Sequence, residues 1–132
     1  MRPILSITFC LALLTYSCEK NSTFIIPNGT YSGTFQRLTV TNGQVSNVTI
    51  TFSEGNYSGQ SQIPKYPALC DGTYKSKGAD SITFSNACFW TDEFDWSLIL
   101  NGNYKIMLSG KDLQLTRRYA GLYTDIYKLT KQ

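Results

Sequence analysis

The sequence predicts an all-β domain: an up-and-down antiparallel meander of about eight or nine strands that closes into a barrel, with a two-sheet β-sandwich as the alternative. Three observations point there. Apolar and polar residues alternate with a period of two through most of the stretch from Thr30 to Leu129. Turn signals interrupt that alternation at short intervals: Asn42-Gly43, Glu54-Gly55, Gly78-Ala79-Asp80, Asn101-Gly102-Asn103 and Gly110-Lys111. The hairpin registers these turns imply also keep the apolar side chains on one common face. A one-residue slip would invert a whole strand, so this agreement carries more weight than any single strand.

The chain begins with Arg2 and an apolar run from Ile4 to Leu14, followed by Leu-Thr-Tyr-Ser-Cys. A basic start, a short apolar centre and small residues before a cut site describe a secretory leader over residues 1–17. The apolar run is well short of the roughly 20 residues a membrane span requires. Ser17 directly before Cys18 resembles a bacterial lipobox, which implies cleavage before Cys18 and lipid attachment to it. Residues 18–28 then form a tether and residues 29–132 the barrel domain. A eukaryotic source would instead make Asn21-Ser22-Thr23, Asn28-Gly29-Thr30 and Asn47-Val48-Thr49 glycosylation triplets. The formal charge of +3 falls to +2 once Arg2 leaves with the leader. That charge is too small and too scattered to suggest a nucleic-acid partner.

The first hairpin turns at Asn42-Gly43 and sets Phe35 opposite Ile50, Gly33 opposite Phe52 and Arg37 opposite Val48. Glu54-Gly55 places Phe52 opposite Tyr57. Ile63 to Leu69 contains Pro64 and Pro67, so it is a connection and not an interior strand. A turn centred on Ala79 sets Cys70 opposite Cys88, Gly72 opposite Asn86, Tyr74 opposite Phe84 and Ser76 opposite Ile82. Directly opposed residues lie about 4.5–5.5 Å apart at Cα, within reach of a disulfide. Cys10 leaves with the leader and Cys18 takes lipid, so Cys70 and Cys88 remain to bond in an exported chain. Closing such a loop is worth about 3 kcal/mol by the chain-entropy estimate. A redox or metal pair is the rival, and neither the spacing nor the absence of histidine favours it.

Phe89 to Glu93 (FWTDE) follows as a loop. Asn101-Gly102-Asn103 forms a three-residue turn that pairs Leu100 with Tyr104, Leu98 with Ile106 and Trp96 with Leu108. The turn through Gly110 pairs Leu108 with Leu113, Ile106 with Leu115 and Tyr104 with Arg117. A last strand from about Tyr123 to Leu129 shows Tyr127 and Leu129 on one face. Such a ribbon leaves two edges exposed unless its last strand meets its first.

The stretch Asn-Gly-Thr-Tyr-Ser-Gly-Thr-Phe, with Tyr31 where tryptophan is usual, resembles the Gly-x-aromatic opening of lipocalin-like (calycin-like) barrels. The whole domain resembles small lipocalin-like lipoproteins exported by Bacteroidetes-type bacteria. That resemblance implies a protein of the bacterial cell envelope, held to a membrane (the outer membrane foremost) only through its N-terminal lipid. It also implies a binder of a small apolar or amphipathic ligand. The alternative is a barrel whose core is filled and which acts through its surface, as an interaction or inhibitor module. Inward-facing Gly33, Gly59 and Gly72 fit either case: they let strands coil sharply, or they leave a cavity lined by rings.

Arg37, Arg117 and Tyr119 fall on the inward face, with Tyr104 opposite Arg117. These four are the candidate ligand-binding residues, since Arg-x-Tyr is similar to the carboxylate clamp of fatty-acid-binding barrels. Phe89, Trp90 and Phe94 form an aromatic loop cluster suited to capping the barrel mouth or contacting a partner. Asp92, Glu93 and Asp95 could offer oxygen ligands to calcium, but no calcium-loop motif surrounds them, and no metal or other cofactor is expected. The chain has no histidine, no free thiol after processing, no Gly-x-Ser-x-Gly and no phosphate loop, so catalysis has little support.

Overall fold

Alternation of apolar and polar residues cannot be satisfied by an isolated ribbon, and here it is satisfied by closure. The computed structural model describes residues 25–91 and 93–132. Its eight strands are β1 (Gly29–Leu38), β2 (Asn42–Ser53), β3 (Asn56–Ser61), β4 (Asp71–Ser76), β5 (Ser81–Asn86), β6 (Gly102–Ser109), β7 (Asp112–Tyr119) and β8 (Tyr123–Lys131). Each pairs antiparallel with the next in sequence, and β8 returns to pair with β1 from Tyr31↔Lys131 to Leu38↔Thr124. The result is the closed up-and-down barrel and not the sandwich. Among the described residues no helix is long and apolar enough to cross a membrane.

Three hairpins have the expected registers. Phe52 faces Tyr57, Tyr74 faces Phe84 and Leu108 faces Leu113. Glu54 and Gly55 both have positive φ (47° and 82°), as a type I′ turn demands. The Cys70–Cys88 disulfide forms across the mouth of the β4–β5 hairpin, with the Cα atoms 6.2 Å apart.

Two expectations fail. In the first hairpin, Phe35 faces Ser46 and Tyr31 faces Ile50, a displacement of four residues. Asn42-Gly43 is not the turn: Leu38 pairs with Asn42 across Thr39–Thr41, and a bulge follows. Gly43 is needed for space, because a Cβ there would strike the Arg37 carbonyl and come within 2.9 Å of the Tyr66 hydroxyl. The displacement is even, so the same side chains still point inward.

The second failure is the Asn101-Gly102-Asn103 hairpin. Residues Trp96–Leu98 form a short 3-10 helix, and β6 pairs with β5 through Ile82↔Tyr104 and Phe84↔Gly102. The Asp95 side chain caps that helix by accepting the Ser97 N–H. Trp96 consequently points outward and is 57% exposed. The expected Tyr104–Arg117 pair is also missing, because the β6–β7 ladder ends at Lys105↔Thr116.

The barrel has two unlike ends. The turns β2–β3, β4–β5 and β6–β7 lie at one, where the chain also enters through Ile25. Ile26, assigned from sequence to the tether, is fully buried and belongs to the core. The other end carries the longer connections, including residues 62–70 and 87–101. Over it lies a lid made by the second of these, tied down by the Ala68↔Ile99 bridge.

Between the ends the interior is full. Tyr31, Phe35, Ile50, Phe52 and Phe84 are each at most 1% exposed, so no water-sized void adjoins them. Their rings meet mainly edge to face: Tyr31–Phe52 at 5.4 Å, Phe52–Tyr74 at 5.3 Å, Tyr57–Phe84 at 5.4 Å and Phe84–Tyr104 at 5.6 Å. The inward glycines do not open a cavity. A Cβ on Gly33 would collide with the Lys128 carbonyl, and one on Gly72 with the Ser85 carbonyl and the Tyr57 ring. Gly72→Ala is therefore expected to lower stability by about 1–3 kcal/mol through overpacking, read as a reduced urea midpoint. An unchanged midpoint would contradict this account.

Candidate functional site

The inward polar residues gather at the lid end, and they form from the strand register upward. Arg37 on β1 lies directly opposite Asp125 on β8, and Arg117 on β7 lies opposite Asp125 from the other side. One carboxylate thus stands between two guanidinium groups. Arg37 holds it with both oxygens: Nε donates to Oδ1 at 2.6 Å and Nη2 to Oδ2 at 2.8 Å. Asp125 is 1% exposed, so this is a buried bidentate pair of the strong, directional kind.

The same guanidinium reaches the lid. Its Nη1 donates to Asp95 Oδ2 at 2.8 Å and to Ser97 Oγ at 3.0 Å. Tyr119 donates to the Ser97 carbonyl and Tyr123 to the Ser97 hydroxyl, each at 3.0 Å. The Tyr123 ring centroid lies 3.9 Å from the Arg37 carbon between the nitrogens. Burial pulls the Arg37 guanidinium towards the neutral form, but the Asp125 hydrogen bonds and the charges around it outweigh that and raise its pKa. Asp95 is held below the usual carboxylate range, chiefly by the Ser97 hydroxyl, against a smaller opposing effect of burial; the Ser97 N–H and Arg37 add to the lowering.

The structure brings the four sequence-derived residues together but gives them different employment. Arg37 spends four of its donor contacts on Asp125, Asp95 and Ser97, as an internal clamp on the lid. Arg117 donates to the Asn101 carbonyl and stacks on Tyr119 at 4.6 Å. Tyr119 is tied to the lid. Tyr104 is 2% exposed inside the barrel, where burial raises its pKa. The residue that sequence reasoning missed is Asp125. Its signal was present: Asp125 alternates with Tyr127 and Leu129, so it lies on the inward stripe, where an acid requires a partner.

The lid's outer surface carries the aromatic cluster. Trp90 and Phe94 meet at 5.7 Å and Phe94 and Trp96 at 6.3 Å, while Phe89 is 91% exposed. Lys65 from the β3–β4 connection lies 5.4 Å from the Phe94 ring centroid. Asn86 Oδ1 accepts the Trp90 indole N–H at 3.2 Å, which fixes that ring against the end of β5. A groove of about 330 Å3 runs between Phe89, Trp90, Trp96 and Ile99. Of the acidic loop residues, Asp95 is turned to Arg37 and Ser97, Glu93 is exposed, and Asp92 lies outside the described residues. Cys18 and the leader lie outside them too.

Comparison with known proteins finds no match to any protein family, to any curated protein or to any solved structure.

Two outcomes follow from the geometry of the site. Asp125→Ala leaves Arg37 buried against an empty partner and should cost about 3–5 kcal/mol in chemical unfolding. The paired change Arg37→Met with Asp125→Leu should recover most of that loss, and failure to do so would argue against a desolvation penalty. At alkaline pH the buried tyrosines govern stability. Burial, aided by the charge of Asp71, pushes the Tyr57 phenol up to about 12 from an ordinary value of 10. The folded state therefore keeps a proton that the unfolded chain releases. This contribution is complete below pH 10 and is lost as the pH rises from about 10 to about 12. Tyrosinate absorbance and loss of the near-ultraviolet circular dichroism signal should rise together across that window. Full ionisation near pH 10 in an intact barrel would contradict it.

Proposed function

We propose that this chain is a lipid-anchored protein of a bacterial envelope whose filled barrel acts as an interaction module, through the aromatic surface of its lid. The observation that carries this reading is the packed interior. Rings and branched side chains occupy the space that a barrel binding a small apolar molecule would leave open. The inward guanidinium of Arg37 is complemented by the chain's own Asp125, Asp95 and Ser97.

Orientation adds support. Seven residue steps separate Cys18 from Ile25, a reach of about 25 Å when extended. A lipid at Cys18 would hold the turn end near the membrane and present Phe89 and Trp96, exposed by 91% and 57%, on the far side. Exposed aromatic residues over a rigid base are the side chains that dominate protein interfaces.

Native mass spectrometry of the protein released from membranes of an expressing bacterium tests both halves. The expected result is a mass lacking residues 1–17, increased by diacylglycerol and acyl groups, with no retained small molecule. Cys18→Ser should abolish the lipid increment. A stoichiometric apolar ligand would overturn the filled-barrel reading in favour of a ligand carrier.

A further inference from the structure

The wall of the barrel is not continuous. Beyond Lys105↔Thr116 the ladder between β6 and β7 stops. Gly102–Phe84 pairing holds the start of β6 to β5 alone, and Tyr119–Tyr123 pairing holds the end of β7 to β8 alone. The two strands part towards the lid, and an open slot of about 890 Å3 covers the place, lined there by Asn103, Tyr104, Arg117 and Arg118 and extending over the paired strands to Ser81 and Met107.

Both flanks of the slot are strand edges. In a hairpin with a two-residue turn the flanking pair is hydrogen-bonded, and such pairs recur at every second position. Counting from Ser109↔Asp112 through Met107↔Gln114 and Lys105↔Thr116, the next such pair would be Asn103 with Arg118. Their backbone groups are aimed across the slot with no strand between them.

Charge is unbalanced at the same place. Lys105, Arg117 and Arg118 form no ion pair among the described residues, where both ion pairs belong to Arg37. Arg117 is the displaced member of the Arg37–Asp125–Arg117 row. It bonds the Asn101 carbonyl and lies 5.7 Å from the Tyr104 ring centroid, with donors to spare in a five-donor fork. Gly102, at φ +90°, makes room for it, since a Cβ there would lie 2.9 Å from Arg117 Nη1.

We propose that this slot binds the C-terminal end of an extended peptide. The peptide backbone adds to the free edge of β6 or β7, and Arg117 takes the terminal carboxylate, with Lys105 and Arg118 supplying further positive potential. A compact anion would leave most of the volume and both edges unused, and an uncharged strand would leave the three cations unanswered. The slot is in the wall and not on the lid's aromatic surface, so this inference does not depend on the function proposed above.

The test is a titration of the isotope-labelled protein, as an expressing cell exports it, followed by amide chemical shifts. The probe is an N-acetylated Thr/Val-rich hexapeptide with a free C-terminus, compared with its C-terminal amide and with laurate. The expected result is saturable shifts confined to Gly102–Lys105 and Thr116–Tyr119. Affinity should be at least tenfold weaker for the amide and at least tenfold weaker in Arg117→Gln. Arg118→Gln should produce a smaller loss. The acid–amide comparison uses the unaltered protein and so holds whether or not Arg117→Gln folds. Equal binding of acid and amide, no binding at millimolar peptide, or the same shifts from laurate with none from peptide would each overturn the proposal.

Discussion

The bidentate contact between Arg37 and Asp125 is the constraint on which the closed form of this barrel depends. A meander becomes a barrel only if its last strand finds its first in one register, and apolar side chains specify that register loosely: a slip of two residues keeps every face intact. A buried charge does not tolerate such a slip. Moving β8 by two against β1 would put Asp125 opposite Phe35 or beyond the end of β1, out of register with Arg37 and its lid contacts, with only Arg117 left beside it. A buried ion pair is weak evidence for net stability, because desolvation opposes the Coulombic gain. Its contribution here is selection of one closure among several that hydrophobic burial would rank nearly alike.

The same arginine joins the wall to the lid. Its Nη1 bonds Asp95 and Ser97, and Ser97 also receives Tyr119 and Tyr123. Closure of the sheet and seating of residues 87–101 are therefore coupled through one guanidinium. With the lid seated, Leu100 and Ile99 complete the core from above, as Ile26 does from below. A barrel of eight strands is just wide enough for its own side chains, and this one uses that width for tyrosine and phenylalanine rings. The hydroxyls of those tyrosines are directed to acceptors near the ends: Tyr31 to the Pro27 carbonyl and Tyr57 to the Leu100 carbonyl, both at 2.9 Å. Among the described residues, aromatic bulk thus fills the middle without leaving a buried side-chain polar atom unpartnered.

Sequence alone conveyed the class of fold, the disulfide, three hairpin registers and the inward stripe, because each follows from local period and turn chemistry. What it could not convey depends on contacts between distant residues. Asn42-Gly43 has the dipeptide of a primed turn, yet Gly43 is there because the Arg37 backbone and the Tyr66 hydroxyl approach it closely. Trp96, Leu98 and Leu100 alternate like a strand. Asp95 and Ser97 instead wind that stretch into a cap, and β5 offers its edge to β6. The candidate site was legible as a gathering of Arg37, Arg117, Tyr104 and Tyr119, and illegible as to purpose, because Asp125 decides which arginine is free.

That decision accounts for the least regular part of the structure. Register alone makes Asp125 a neighbour of Arg37 and of Arg117 alike, and one carboxylate cannot serve both with two parallel hydrogen bonds. The fork of Arg37 fits it, and the Asp95–Ser97 cap adds two further contacts to that choice. Arg117 is left to the Asn101 carbonyl, immediately before β6. An arginine drawn to that point lies against the inner face of Gly102, beside the place where the pairing of β6 and β7 ends. The seam at β1–β8 and the opening at β6–β7 are then two consequences of one unequal division of charge: the sheet is sealed where the carboxylate is given, and parted where it is withheld.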